Sequence, residues 1–197
     1  MPRAARRVYL ARHGETEWNS AGRWQGHTDI VLNDAGRAQS RALAEALRPR
    51  GLVRVGSSDL ARARETAEIV ATTLGLGPVE VDPGLRERSF GCFEGLTREE
   101  CELQFPQAWA DYRTDPRRIP PGGEAQAAVV ARMHAATLRF AAALPAGVAP
   151  ALLVSHGGAM RALVGSLTGQ IPAPLSNGAM FLLAVGESTI EVLDRID

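Results

Sequence analysis

The chain has 197 residues, 22 basic and 22 acidic side chains, zero formal net charge and a hydrophobic fraction of 45%, values that suit one compact domain with a substantial core. Zero net charge argues against non-specific nucleic-acid binding and against a polybasic membrane surface. All the basic residues are arginine; without lysine, neither a Walker A phosphate loop nor a pyridoxal or Schiff-base enzyme can be built.

The opening segment, MPRAARRVYLAR, has the basic residues of a signal peptide, but its apolar stretch runs only from Val8 to Ala11, too short for an h-region. No uninterrupted apolar run reaches membrane-spanning length. The two cysteines, Cys92 and Cys101, show neither a disulfide framework nor metal-type spacing. A cytoplasmic protein in a reducing compartment is the expectation. No G-x-S-x-G elbow and no G-x-G-x-x-G loop occurs.

Val8 to Ala11 predicts a short buried strand followed by a turn. Residues 33–51 predict a helix capped at Asn33 or Asp34 and ended before Pro49 and Gly51. A second strand follows over Leu52–Ser58, then a helix over 58–75. In that helix Leu60, Ala63, Ala67, Val70, Ala71 and Leu74 form one apolar stripe, with Gly75 as the stop. Residues 78–81 read as a brief strand. From Leu85 to Gly123 the chain is irregular, with short helical pieces broken by Pro106, Pro116, Pro120 and Pro121. That segment is expected to lie over the sheet edge as an insertion. A long helix over 123–144, a third buried strand at Ala151–Val154, a helix after it and a terminal strand pair complete the pattern. Strands alternating with helices predict an α/β fold: a three-layer α/β/α arrangement with a mostly parallel sheet flanked by helices, as one domain over residues 1–197.

Ligands of such sheets bind at the carboxyl ends of the strands. Here those ends carry Arg12-His13-Gly14, Ser57-Ser58-Asp59 just before Arg62, and Ser155-His156-Gly157-Gly158. Two histidines and two arginines are thus expected to gather at one end. Guanidinium forks match phosphate oxygens, and helix starts after Ser58 and His156 supply backbone N–H donors. A neutral imidazole can attack phosphorus, and adjacent positive charge keeps it unprotonated. His13 is therefore the candidate nucleophile. A leaving alkoxide needs a proton, and Glu87, beside Phe90, is the candidate donor. Glu94 would serve as well on residue type alone.

Four motifs in order, RHGETEWN, SSDLARARET, LRERSFGCFEG and VSHGG, resemble those of the histidine phosphatase superfamily, the phosphoglycerate mutase-like proteins. The resemblance runs from Val8 to the last strands. It implies that His13 is phosphorylated, that Arg12, Arg62 and His156 bind the transferring phosphoryl, and that Glu87 rather than Glu94 is the proton donor. It also implies that Asn19 reaches the phosphate pocket, that the Gly26 backbone touches substrate, and that neither metal nor cofactor is needed. Gly157 joins the substrate-binding set at the start of the helix after His156.

Two departures bear on substrate. Ala125 replaces the serine of the family's P-G-G-E-S element, and Phe90 stands where its sugar-phosphate mutases carry a tyrosine. Both favour a phosphatase, although Arg117-Arg118 is left as a candidate grip on a substrate carboxylate. The leading expectation is a metal-independent phosphomonoesterase acting on small phosphorylated metabolites. A primer-dependent phosphoglycerate mutase and a phospho-ligand binding module are the alternatives. His27 is expected in an exposed loop at the pocket entrance, His134 on a helix, and Arg64 and Arg86 on the surface; Trp18 and Trp24 are candidates for the pocket rim, although tryptophans near loops usually pack. A homodimer through edge strands is compatible with the pattern, though no residue demands it.

Overall fold

A computed structural model describes residues 5–145 and 149–196. The first four residues of the basic start and the last residue of the expected 1–197 domain lie outside the described residues. In chain order the elements are β1 (Arg6–Arg12), α1 (Glu17–Ser20), α2 (Asp34–Leu47), β2 (Val55–Ser57), α3 (Ala61–Leu74), β3 (Glu80–Val81), α4 (Arg98–Gln104), α5 (Pro106–Thr114), α6 (Gln126–Ala142), β4 (Ala151–Ser155), α7 (Gly157–Thr168), β5 (Met180–Val185) and β6 (Ile190–Ile196).

The six strands form one sheet in the order β3-β2-β4-β1-β5-β6. The first four are mutually parallel, and the terminal pair is antiparallel. Alternation along β1 explains why both faces are covered. Val8 and Leu10 enter a core with α6 and α7, whereas Tyr9 and Ala11 enter a second core with α2 and α3. A strand buried on both faces reads as a continuous apolar run, which is how Val8–Ala11 appears in the sequence. The three-layer α/β/α architecture is thus present, with a mixed sheet.

Boundaries shift where side chains compete with the ladder. The strand expected over Leu52–Ser58 is confined to Val55–Ser57. Helix α3 starts at Ala61 rather than Ser58, because the Ser58 hydroxyl accepts the Leu60 N–H at 3.3 Å and Asp59 turns away to pair with Arg86. Asn33 is the cap of α2, accepting the Gly36 N–H, and Gly75 ends α3 at φ 68°. The loop after β1 is pressed onto the start of α2. A Cβ on Gly14 would stand 2.4 Å from the Gly36 carbonyl oxygen, and one on Gly36 would stand 2.1 Å from that of Glu15. Only glycine at both positions permits this approach, which fixes where β1 delivers His13.

The proline-broken segment has a core of its own. Phe90, Phe93, Cys101 and Trp109 are buried together, with Trp24 and Tyr112 packed against them. Expected over the sheet edge, it instead walls a cavity at the carboxyl ends of β1 and β4, whose lining runs from Arg12, His13 and Gly157 to Phe90, Arg98, Tyr112 and Arg117.

Candidate active site

His13 leaves the end of β1 with its backbone pinned on both sides. Its N–H donates to Ser155 at the end of β4 at 3.0 Å, and its carbonyl accepts Asn177 Nδ2 at 2.9 Å. The ring is buried, not exposed as a loop histidine would be. Nδ1 donates to the Gly14 carbonyl at 2.6 Å; a carbonyl only accepts, so Nδ1 carries the proton and Nε2 is left with its lone pair. Nε2 has no protein partner among the described residues. Burial holds the imidazole well below its ordinary pKa, and Arg62 and Arg12 push the same way, against the Gly14 hydrogen bond.

His156, the N-cap of α7, lies against it with ring centroids 5.0 Å apart and planes inclined at 60°. It is fully buried, and neither ring nitrogen has a partner among the described residues. Burial, then Arg62 and His13, keep its pKa well below the usual value as well.

The two arginines are anchored by their outer nitrogens. Arg62 is fully buried and donates to the carbonyls of Thr28 at 2.9 Å and Gly26 at 2.8 Å. Arg12 donates to the Leu175 carbonyl. In both, Nε is buried without a partner among the described residues. Burial lowers the Arg62 pKa to about 10, with Glu87 opposing the shift, so it stays charged at neutral pH. Among the described residues the two guanidinium Nε groups and whichever His156 nitrogen carries the proton are buried donors without partners, a deficit that one anion can fill. Gly157 keeps the opening of α7 low enough for Arg12 to cross it: a Cβ there would stand 3.2 Å from Arg12 Nε.

Glu87 comes from the segment between β3 and α4. Its carboxylate accepts the N–H groups of Gly158 at 2.8 Å, Ala159 at 2.7 Å and Arg88 at 2.8 Å. The start of α7 therefore holds it, rather than packing against Phe90. Its carbonyl accepts His27 Nε2 at 2.8 Å and Arg132 Nη2 at 2.7 Å. His27, expected as an entrance residue, thus braces the Glu87 segment.

Glu94 does not line the cavity. It accepts Thr28 N–H and Oγ1 through one oxygen, and Ser89 Oγ and Phe90 N–H through the other. Burial would raise its pKa, but these hydrogen bonds outweigh it and the net shift is downward. The geometry makes it a clasp between two loops.

Asn19 lines the cavity and closes a capping box with Thr16. Its Oδ1 accepts the Thr16 N–H at 3.1 Å, so only Nδ2 is free to donate toward the cavity. Gly26, at φ 52°, lies beside it, and a Cβ there would stand 2.1 Å from Glu94 Oε1. Arg117 lines the rim but pairs with Asp115 at 2.8 Å; Arg118 does not line the cavity, and its carbonyl accepts Arg88 Nη2. Trp18 and Trp24, candidates for the rim, both line the cavity; Trp24 is half-buried, and its buried indole nitrogen has no partner among the described residues. Gln25, which spacing gave no reason to select, also lines the wall, buried and with no partner for Oε1 among the described residues. The cavity measures about 1080 Å³. Among the described residues, no three His, Cys, Asp or Glu side chains gather in a way that could hold a metal ion. No described helix is long and apolar enough to cross a membrane.

Paired buried imidazoles, two guanidiniums and a carboxyl fixed on a helix start thus share one end of a mixed α/β sheet. The histidine phosphatase superfamily (branch 1) model matches residues 8–195, and the chain belongs to that family. A Yersinia pestis protein named probable phosphoglycerate mutase GpmB is 43% identical over 171 residues, covering 84% of this chain and 76% of that protein. Among solved structures, a mycobacterial glucosyl-3-phosphoglycerate phosphatase complexed with VO3 superposes with a TM-score of 0.84 at 34% identity, covering 95% of this chain and 97% of the other. The α-ribazole phosphatase of Shigella flexneri gives a TM-score of 0.82 at 26% identity, covering 97% and 96%.

Proposed function

We propose that the protein is a metal-independent phosphomonoesterase that hydrolyses small phosphorylated metabolites through phospho-His13, in the cytoplasm and without a cofactor. The observation that carries this reading is His13 itself. Its proton is committed to Gly14 through Nδ1, and its unpartnered Nε2 stands among guanidiniums whose Nε groups have no partner.

The phosphoryl group is held by Arg12, Arg62, His156 and the N–H of Gly157, with Asn19 Nδ2 and the Gly26 backbone completing the grip. Nε2 of His13 forms a bond to phosphorus as the ester P–O bond breaks, and protonated Glu87 gives its proton to the leaving oxygen. Water then attacks the phosphohistidine, losing its proton to the Glu87 carboxylate, and inorganic phosphate leaves. The fixed positive charge of the arginines stabilises the equatorial oxygens in both transition states without reorganisation. The Nδ1–Gly14 bond persists throughout and holds the ring in the attacking tautomer.

The relative named as a mutase keeps a second reading in view. A mutase must shield phosphohistidine from water. Here the cavity is rimmed by the exposed residues Ser20, Arg98, Pro116 and Ile171, and Phe90 offers no hydroxyl to substrate. These features favour hydrolysis. Phosphate release from a panel of alkyl phosphates in excess chelator, wild type against His13→Ala, is the test. Turnover that survives chelation and vanishes with His13 supports the phosphatase. Isomerised product that depends on a bisphosphoglycerate primer establishes the mutase, and tight binding without turnover the binding module.

A further inference from the structure

We propose that Gln39, a residue of α2 that does not line the cavity, sets the tautomer of His13 by fixing the peptide plane between Gly14 and Glu15. Gln39 is thus a positioning residue, and its consequence for rate rests on the reading of His13 as the nucleophile.

The attacking tautomer depends on what Nδ1 of His13 meets. It meets the Gly14 carbonyl at 2.6 Å, an acceptor, and so keeps its proton. That carbonyl belongs to the Gly14–Glu15 peptide, whose N–H end donates to Gln39 Oε1 at 2.8 Å. A backbone N–H can only donate, so the amide oxygen of Gln39 is the end that faces it. A trans peptide is planar, with its C=O and N–H directed to opposite sides. Holding the N–H toward α2 therefore aims the carbonyl at the imidazole. Turned over, the same plane would offer His13 a donor in place of an acceptor. Nδ1 would then present its lone pair, Nε2 would carry the proton, and the nucleophile would be lost.

The neighbouring planes are held by other groups. The His13 carbonyl accepts Asn177 Nδ2 at 2.9 Å, and the Gly14 N–H donates to Thr66 Oγ1 at 3.0 Å. Thr66 is fully buried and gives its own proton to the Arg62 carbonyl at 2.8 Å. On the far side the Glu15 carbonyl accepts the Asn33 N–H at 3.0 Å. Among the described residues the Gly14–Glu15 plane has two hydrogen-bond partners: the ring it orients, and Gln39. Glycine leaves the torsion beside that plane freer than any other residue would. A hydrogen bond has to choose between the two orientations.

The helix is built to supply it. Gln39 follows Gly36 by three residues on α2, so both lie on the face against the loop after β1. The close approach that Gly14 and Gly36 permit brings the Gln39 amide within reach of the Glu15 N–H. A side chain outside the cavity thereby decides which nitrogen of the nucleophile carries the lone pair.

Nitrogen NMR of isotope-labelled protein tests this, because protonated and bare imidazole nitrogens resonate far apart; the His13 signals are those lost in His13→Ala. Wild type should carry the proton on Nδ1. Gln39→Met keeps the length of the side chain and removes the acceptor. It should shift the tautomer ratio toward Nε2–H by about tenfold or more, the scale of a buried N–H left without its partner. Gln39→Glu, whose carboxylate still accepts, should restore the wild-type ratio. If Gln39→Met does not fold, Gln39→Asn, too short to reach the Glu15 N–H, reads the same shift. The fall in kcat should match the share of Nδ1–H lost and be equal for alkyl and aryl esters, since both need the nucleophile. Asn33→Ala removes the cap of α2 but not the Gln39 bond. It should lower the urea midpoint and keep the tautomer. A His13 tautomer unchanged in the Gln39 variants, or shifted as far by Asn33→Ala, would overturn the assignment. The NMR readout needs no turnover. If no ester is hydrolysed yet the tautomer follows residue 39, the phosphatase reading fails and the positioning role stands.

Discussion

Glu87 accepts the backbone N–H of Gly158 at 2.8 Å, joining residues 71 positions apart in the chain. The proton donor of the proposed reaction is thereby seated on the same helix start that follows His156, so donor and phosphoryl pocket share one rigid support. Replacing Glu87 by Gln should slow alkyl-phosphate hydrolysis by about 10²–10⁴-fold. An aryl phosphate, whose leaving group needs little protonation, should lose much less. The rival carboxylate gives the contrast: Glu94→Ala should cost about 1.5–3 kcal/mol of stability through its lost loop-to-loop bonds, with the alkyl-to-aryl rate ratio unchanged. Steady-state rates on both ester types, with urea unfolding, distinguish the two roles. Equal losses on alkyl and aryl esters in Glu87→Gln would remove it as the acid.

Gly158 offers a subtler perturbation of the same contact. A Cβ there would stand 2.6 Å from Glu87 Oε1, so Gly158→Ala must displace the carboxylate without removing any ionisable group. A displacement of this kind is expected to cost about 10² in rate, concentrated on alkyl esters. The ratio of alkyl to aryl turnover, alongside an unchanged far-ultraviolet spectrum, measures it. A normal ratio would show that the acid tolerates movement.

Arg62 is anchored to Gly26 and Thr28, and its Nε has no partner among the described residues. Arg62→Ala should lose about 1.5–3 kcal/mol of transition-state binding, about 10–150-fold in kcat/KM. Comparison with Arg62→Lys separates charge from fork geometry, since lysine restores the former only. An unaltered kcat/KM in Arg62→Ala would exclude the residue from the site.

Stability should fall on acidification with a contribution from the buried pair. Unfolded histidine titrates near 6.5, whereas burial holds His13 and His156 well below that in the fold. As pH drops below about 6.5 the unfolded chain takes up protons that the native state refuses, so folding loses free energy until the folded pKa values are reached. Each ring contributes at most about 1.4 kcal/mol per pH unit. Urea unfolding between pH 7 and 5 should show a steeper loss in wild type than in His156→Asn. Equal slopes would mean that His156 is charged or solvated in the native state.

His13, Arg62 and His156 were legible because the sheet itself gathers them: β1, β2 and β4 are parallel neighbours, and whatever follows their carboxyl ends must meet. Glu87 is harder to read, since its position depends on two backbone amides of a distant helix, and Glu94 has the same residue type seven positions later. Gln25 gave no signal at all: it reaches the cavity wall by a loop path that residue spacing does not encode. Strand β2 was overextended because Leu52 and Val53 have strand-like side chains, whereas the register with β4 begins at Val55 and the Val53 N–H donates to the Pro150 carbonyl just before β4.

The aromatic cluster of Phe93, Trp109 and Tyr112 is separate from the two cores that sandwich the sheet. In the proposed reaction, residues of the segment that contains it face the leaving group, whereas those that face phosphorus rest on the sheet. Substrate choice and chemistry would then sit on separate lobes, each open to change without the other. Chimaeras that exchange residues 88–123 between relatives would transplant preference without transplanting reactivity.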